Sequence, residues 1–328
     1  MADHLGPWVR LEGISISQLP AEGKGVAPNN RDESEKVHAG SASTTTAPRL
    51  QTFIQKTIEE SVPFIDGVAP KNDGANVTWK LKGSPRTYDS SEAPVQVYER
   101  VVRGKDLDKL EGMSQFSADR RDETWFCRRS SHRNAPEPKT ASWKEFVRCF
   151  KEHHAESEHA FTPTVIGDRQ AMSWDTSGIE VEVRGERWAG ITVVVEEMKH
   201  RIDPKPLSNR VFTVVQIIAA LSGTSEFLVI SIPITDFGKS PYADFAKDKS
   251  LVAGAYASVE RIRILPSNGE IEWIMATASD AGGLIPQWVQ NLAVPAAVAK
   301  DVDFFMSWIP SQRTNKDARP APIPNSTE

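Results

Sequence analysis

The stretch from Asp280 to Ile309 constrains this chain more than any other. Gly282 and Gly283 free the backbone for a tight turn, and Pro286 suits a first helical turn, where its missing N–H has no partner to lose. From there apolar side chains recur at Ile285, Trp288, Val289, Leu292, Ala296, Ala299, Val302, Phe305, Met306 and Ile309. That three-and-four spacing puts one continuous stripe on a single helical face. At about 1.5 Å per residue the helix reaches roughly 35 to 40 Å, the width of a small domain. A stripe of that length needs a large apolar cover.

The segments before it can provide the cover. Residues 191–198, 211–219, 226–234, 253–265 and 271–278 are short, rich in Val, Ile, Thr and aromatic residues, and separated by Pro, Gly, Asn and Asp clusters, as strands and turns are. Ser267-Asn268-Gly269 predicts a hairpin, because Asn and Gly accept positive φ. Antiparallel strands followed by one terminal helix predict an α+β domain, with a curved sheet packed against that helix. Leu50, Phe53, Ile54, Thr57, Ile58 and Ser61 predict a first amphipathic helix ending near Pro63, and Ser142 with Glu145 caps a second over 143–158.

Several motifs carry a resemblance. Asp280, Gly282-Gly283, an apolar pair with Pro286, then Trp288-Val289-Gln290-Asn291 and an apolar helix resemble the C-terminal signature of the START superfamily, the helix-grip lipid-transfer domains. Thr124 to His132, Glu197-Met198-Lys199-His200, Pro206 to Phe212 and Ala293-Val294-Pro295 are similar to a START-like family of filamentous fungi with no assigned function. The resemblance spans roughly residues 50 to 309. It implies a helix-grip fold with an internal cavity for an apolar ligand, and no particular reaction.

Composition separates the rest of the chain. Between residues 20 and 48 only Val26 and Val37 are aliphatic and larger than Ala, so 20–49 reads as disordered, as does the Pro-rich polar tail over 311–328. Residues 1–19 hold Trp8, Val9, Leu11, Ile14 and Ile16 and read as an arm that docks on a domain over 50–310, with an unstructured extension as the alternative. The net charge of -5 argues against a general nucleic-acid partner. Arg128, Arg129 and Arg133 stand among acids and read as a solvated surface in preference to a headgroup patch. No secretory signal is expected at the N-terminus, no apolar run is long enough to span a membrane, and Cys127 and Cys149 lack metal or redox spacing, which together suit a cytoplasmic protein.

No catalytic or metal constellation stands out. Of His153, His154, Glu158 and His159 only His154 and Glu158 share a helical face, and a solvated helix end explains them better than a metal. Cys149 and His153 share a face but have no orienting third group, and no Gly-x-Ser-x-Gly, phosphate loop or His-Glu-x-x-His is present. No cofactor is expected.

The candidate ligand residues lie on strands and helix. Ala253, Ala255, Ala257 and Val259 share one strand face, with Ala276 and Ala278 beside them, and either leave a cavity or let the helix approach closely. Arg261 continues that face. If it points inward it needs a partner such as Glu196 or Glu197, leaving a polar anchor for a hydroxyl or carboxylate; otherwise it faces solvent with Arg263. His200 is a second polar group or a local hydrogen-bonder. Trp288, Val289, Leu292, Val298 and Phe305 are the cavity-lining choice on the helix, with Pro295 as a natural kink. The functional expectation is binding of a lipid, sterol or polyketide-like molecule, with room for transient membrane contact. The alternatives are a cyclase- or dehydratase-type enzyme of secondary metabolism and a scaffold with a filled core.

Overall fold

The computed structural model describes residues 5–26, 49–69, 78–108, 121–204, 206–283, 285 and 287–317. In chain order the elements are β1 (Lys24–Gly25), α1 (Leu50–Asp66), β2 (Lys80–Leu81), β3 (Arg86–Tyr88), β4 (Ser91–Val102), α2 (Gly104–Leu107) and β5 (Glu123–His132). There follow α3 (Trp143–Phe146), a π-turn (Val147–Glu152), α4 (His154–Phe161), β6 (Val165–Ser173), β7 (Val181–Val183) and β8 (Glu186–His200). The chain then forms β9 (Arg210–Leu221), β10 (Glu226–Pro233), β11 (Val252–Ile264), β12 (Ile271–Asp280) and α5 (Gln287–Asp317).

All twelve strands join one curved sheet, in the order β1-β6-β8-β9-β10-β11-β12-β5-β4-β2, with β3 on β4 and β7 on β8. Pairing is antiparallel except where β11 runs parallel to β9 for three residues beyond the end of β10. The curvature has local causes. The β8/β9 ladder shifts register between Ala189 and Thr192, and Gly190 inside that shift takes φ +59°. Two further shifts lie in β6/β8. This is the α+β arrangement anticipated from the alternation of the strand segments.

Strand alternation sends side chains to two separate cores. On one face Val215, Ile217, Leu228, Ile230, Ala257, Val259, Ile274 and Ala276 pack with Phe53, Ile54 and Ile58 of α1 and with Val9 and Ile14 of the N-terminal segment. On the other, Ile218, Phe227, Val229, Ile262, Ile271 and Trp273 pack with Phe146, Phe150 and Phe161 of the short helices and with Ala299, Val302, Phe305, Met306 and Ile309 of α5. Phe305 is the centre of this second core. Its ring centroid lies 5.2 Å from Phe146, 4.9 Å from Phe150, 5.7 Å from Phe161 and 5.5 Å from Trp273.

Residues 5–19 lie against the first core. Glu60 of α1 accepts the backbone N–H groups of Trp8 and Val9 at 2.9 and 3.0 Å, the Trp8 ring meets Phe53 edge-on at 5.1 Å, and Ile14 bridges Ile234. Residues 20–26 continue this segment: Trp174 donates its indole N–H to the Pro20 carbonyl at 3.1 Å, and β1 pairs with β6. The expected disorder therefore does not begin at residue 20; residues 27–48 and 318–328 lie outside the described residues.

Three boundaries differ from the sequence expectation. α1 passes through Pro63 to Asp66, and α5 passes through Pro295 and Pro310 to Asp317. Past Pro310, Arg313 anchors the last turns by donating to Glu145 at 2.6 Å and to the Thr140 and Glu137 carbonyls. The expected single helix over 143–158 is instead broken by the π-turn and by His153, at φ -135° and ψ 55°. Among the described residues no helix is long and apolar enough to cross a membrane.

Phe305→Ala should remove the centre of the α5 core and lower stability by about 3 to 5 kcal/mol, measured by denaturant unfolding. A loss below about 1 kcal/mol would mean that α5 is not held by this cluster.

Candidate functional site

Side-chain parity along β11 decides which residues reach the space beneath α5. Ala257 and Val259 belong to the core on the α1 side, and Arg261 shares their parity. Arg261 is 1% exposed, pairs with Asp66 at the end of α1 and donates to the Ala69 carbonyl at 2.9 Å, with Glu272 3.8 Å away. Its partner is thus neither Glu196 nor Glu197, and it faces away from α5. Glu197 also lies on the α1 side, where it binds Arg169 at 2.6 Å and accepts the backbone N–H groups of Asp244 and Ala246. Ala255 lines a cleft of about 460 Å³ on that face, with Val211, Thr213, Ile234, Phe237 and Ala253. The alanine face does border open volume, on the side of the sheet opposite the terminal helix.

The helix residues divide in the same way. Phe305 is enclosed by the aromatic rings of the second core, while Leu292 is 73% exposed, on the outer surface of α5. Val298 is buried. The side chains of Trp288 and Val289 lie outside the described residues. His200 sits on the α5-facing side of β8, with its ring 5.1 Å from that of Phe212, and burial holds its pKa down at about 4. It is therefore neutral near pH 7.

The α5 side of the sheet carries a polar group of side chains that strand spacing alone did not reveal. Arg128 of β5, expected on a solvated surface, is 2% exposed. Its guanidinium lies 3.8 Å over the Trp273 ring, donates to Glu260 at 3.2 Å and stands 3.7 Å from Asp301 of α5. Glu260 of β11 also accepts the Trp273 indole N–H at 2.6 Å, and its second oxygen lies 3.4 Å from His154 Nε2. His154 Nδ1 lies 3.3 Å from the Gln216 amide and 3.9 Å from Glu158. The break at His153 carries His154 and Glu158, expected at a solvated helix end, into this interior position.

The protonation equilibria follow from burial and charge. Burial opposes ionisation of Glu260, but the hydrogen bond with His154 and the charge of Arg128 hold its pKa below the usual value. Burial likewise opposes the His154 cation, and Glu260 and Glu158 outweigh it, raising that pKa. Glu158 is raised by burial and by Glu260. Asp301 is raised to about 7 by burial, against the opposing charge of Arg128 and with smaller repulsion from Glu158 and Glu260. Glu196, on the same sheet face, is raised to about 8 by burial and by Asp168, and its Oε2 meets no hydrogen-bond donor among the described residues. The Tyr256 hydroxyl is raised by burial and by Glu158.

A sequence signal for this site existed. Tyr256, Ser258 and Glu260 alternate with Ala257, Val259 and Arg261, and a polar face within an apolar strand marks a side that is not ordinary core.

Residues 125–309, more than half of the 328, match the family described as "Protein of unknown function (DUF3074)", and the chain belongs to that family. A comparison of its sequence with curated proteins finds no match. Among solved structures it is similar to human STARD10, with 14% identity over 84% of this chain and 85% of that one and a TM-score of 0.47. It is also similar to human StAR-related lipid transfer protein 5, with 12% identity over 81% and 96% and a TM-score of 0.47. A STAR-related lipid transfer protein fragment from Xanthomonas axonopodis shares 14% identity over 72% and 98%, with a TM-score of 0.40.

Asp301 and Glu196 have folded-state pKa values raised above the unfolded values of 3.8 and 4.5. Between those values and about 7 and about 8, the folded chain keeps protons that the unfolded chain releases, so stability falls as pH rises through this window. The double substitution Asp301→Asn, Glu196→Gln should flatten that part of a melting-temperature profile. An unchanged slope would show that other groups set it.

Proposed function

We propose that this protein binds a hydrophobic small molecule or lipid in an internal space between the N-terminal half of α5 and the sheet. One observation carries the reading. Val194, Met198, Val214, Met275 and Val298 are buried, yet they belong to neither of the two packed clusters. Protein interiors are close-packed, and buried apolar groups outside any core are what the wall of an enclosed space consists of.

Two further features support it. The carboxyls beside that wall keep accessible surface although burial dominates their titration: 29% for Glu158 and 28% for Asp301. The helix above is also unevenly engaged. Its residues from Ala299 to Ile309 fill the aromatic core, whereas Leu292, Ala293, Ala296 and Ala297 are exposed and Pro295 is buried. An apolar wall with a few convergent polar groups is the composition of a small-molecule site. The resemblance of the C-terminal signature to helix-grip domains implies the same kind of cavity.

Val214→Trp tests the proposal by filling the space. The wild type should release a bound amphiphile on organic extraction, detected by mass spectrometry, and should bind a hydrophobic fluorophore. The variant should lose at least about tenfold in affinity while keeping its melting temperature, because the added ring occupies existing volume. If the gap is already packed, the substitution instead overpacks it, costs about 1 to 3 kcal/mol and leaves binding unchanged. That result supports a filled scaffold. Chemical conversion of a supplied polyketide would support an enzyme.

A further inference from the structure

The face of the sheet away from α5 has an opening of its own, and backbone pairing creates it. β10 pairs with β11 only between residues 226 and 231, but with β9 as far as Pro233. Pro233 has no N–H to donate to a neighbouring strand. Ile14 of the N-terminal segment takes the place of β11 there: its N–H donates to the Pro233 carbonyl at 2.8 Å and its carbonyl accepts the Thr235 N–H at 2.9 Å. β11 meets β9 directly over residues 252–254, and residues 234–237 turn toward the α1 side, where Ile234 and Phe237 join the first core. Asp236 ties this turn to the N-terminal segment by accepting the Ile16 N–H at 2.7 Å. The cleft of about 460 Å³ lies at this split. Its walls are pinned by strand pairing on one side and by the N-terminal segment on the other.

The lining is mostly apolar: Val211, Ile234, Phe237, Ala253 and Ala255. Ala253 and Ala255 carry only methyl groups, so the β11 wall is flat. One polar group stands out. Thr213 lines the cleft at 7% exposure, and its hydroxyl makes no hydrogen bond with any described residue. A buried hydroxyl without a partner is costly, and a ligand that supplies the partner removes the cost. The charged groups of the lining are already held: Asp236 by Ile16, with Lys239 3.8 Å away and 81% exposed, and Asp280 by the Gly282 N–H at 2.8 Å. Among the described residues no buried cation lines the cleft, so an anionic ligand finds no charge partner there. We infer that this cleft is a second binding site, separate from the space beneath α5, and that it takes an uncharged, flat aromatic molecule whose hydroxyl bonds to Thr213. A flat ring matches the methyl wall of β11 and gains from the Phe237 ring.

The test titrates the full chain, labelled at its alanine methyl groups for NMR, with naphthol, naphthalene and naphthoate. Naphthol should shift the Ala253 and Ala255 methyl signals and bind at least about fivefold tighter than naphthalene. Naphthoate should bind more weakly than either. Thr213→Val, nearly the same shape, should keep the melting temperature, remove the preference for naphthol and leave naphthalene binding unchanged. Ala255→Trp should abolish the shift at Ala253. If that variant does not fold, Ala253→Trp, whose side chain starts from an exposed position, should abolish the shift at Ala255. Absence of any shift at these two methyl groups overturns the inference, as does equal affinity for naphthol and naphthalene, tighter binding of naphthoate, or a preference that survives Thr213→Val. Val214→Trp separates the two sites. It should leave these shifts intact whether or not the space beneath α5 binds a ligand, and their loss in that variant would place the probe under α5 and overturn the second site.

Discussion

The exclusion of water from both faces of one twelve-stranded sheet is the constraint on which the rest of this structure depends. A strand alternates its side chains between the two faces, so each strand contributes to two separate interiors. One is closed by α1 and the N-terminal segment and is packed except at the cleft lined by Ala253 and Ala255. The other is closed by α3, α4 and α5, and its apolar side chains cluster around Phe305. Beyond it the same face carries Tyr256, Ser258, Glu260 and Gln216, residues a packed apolar core does not favour.

That division explains where charge is placed. Arg261 and Arg128 are both almost wholly buried, on opposite faces of the sheet. Arg261 is tied to the end of α1, a structural role. Arg128 links β5, β11 and α5 through Glu260 and Asp301, so the terminal helix is held to the sheet partly by an electrostatic contact beside the proposed space. A buried pair of this kind is an uncertain source of stability, because desolvation cancels much of the attraction, but it fixes orientation.

The strands that were legible in the chain are those with a long run of aliphatic or small residues on at least one face. Segments predicted over 191–198, 211–219 and 253–265 are the cores of Glu186–His200, Arg210–Leu221 and Val252–Ile264. β4 and β5 were not legible as strands, because Glu99, Arg100, Arg128 and Arg129 interrupt the apolar pattern and find partners only once neighbouring strands are in place. The break at His153 was equally hidden. A π-turn is rare and depends on tertiary context, and here it precedes the break that places His154 and Glu158 inside.

What the sequence determined by itself was the kind of element in each place and the partition of residues into those that share a face. Period two in the strands and a three-and-four period in the last helix are local properties, set by backbone geometry and side-chain shape. Which element covers each face was decided only in the folded chain. The alternation of Ala255, Ala257 and Arg261 is the same whether α1 or α5 lies over it, and the choice depends on how all twelve strands stack and curve. Long-range packing therefore placed the alanines on the α1 side of the sheet, and the polar residues between them on the α5 side.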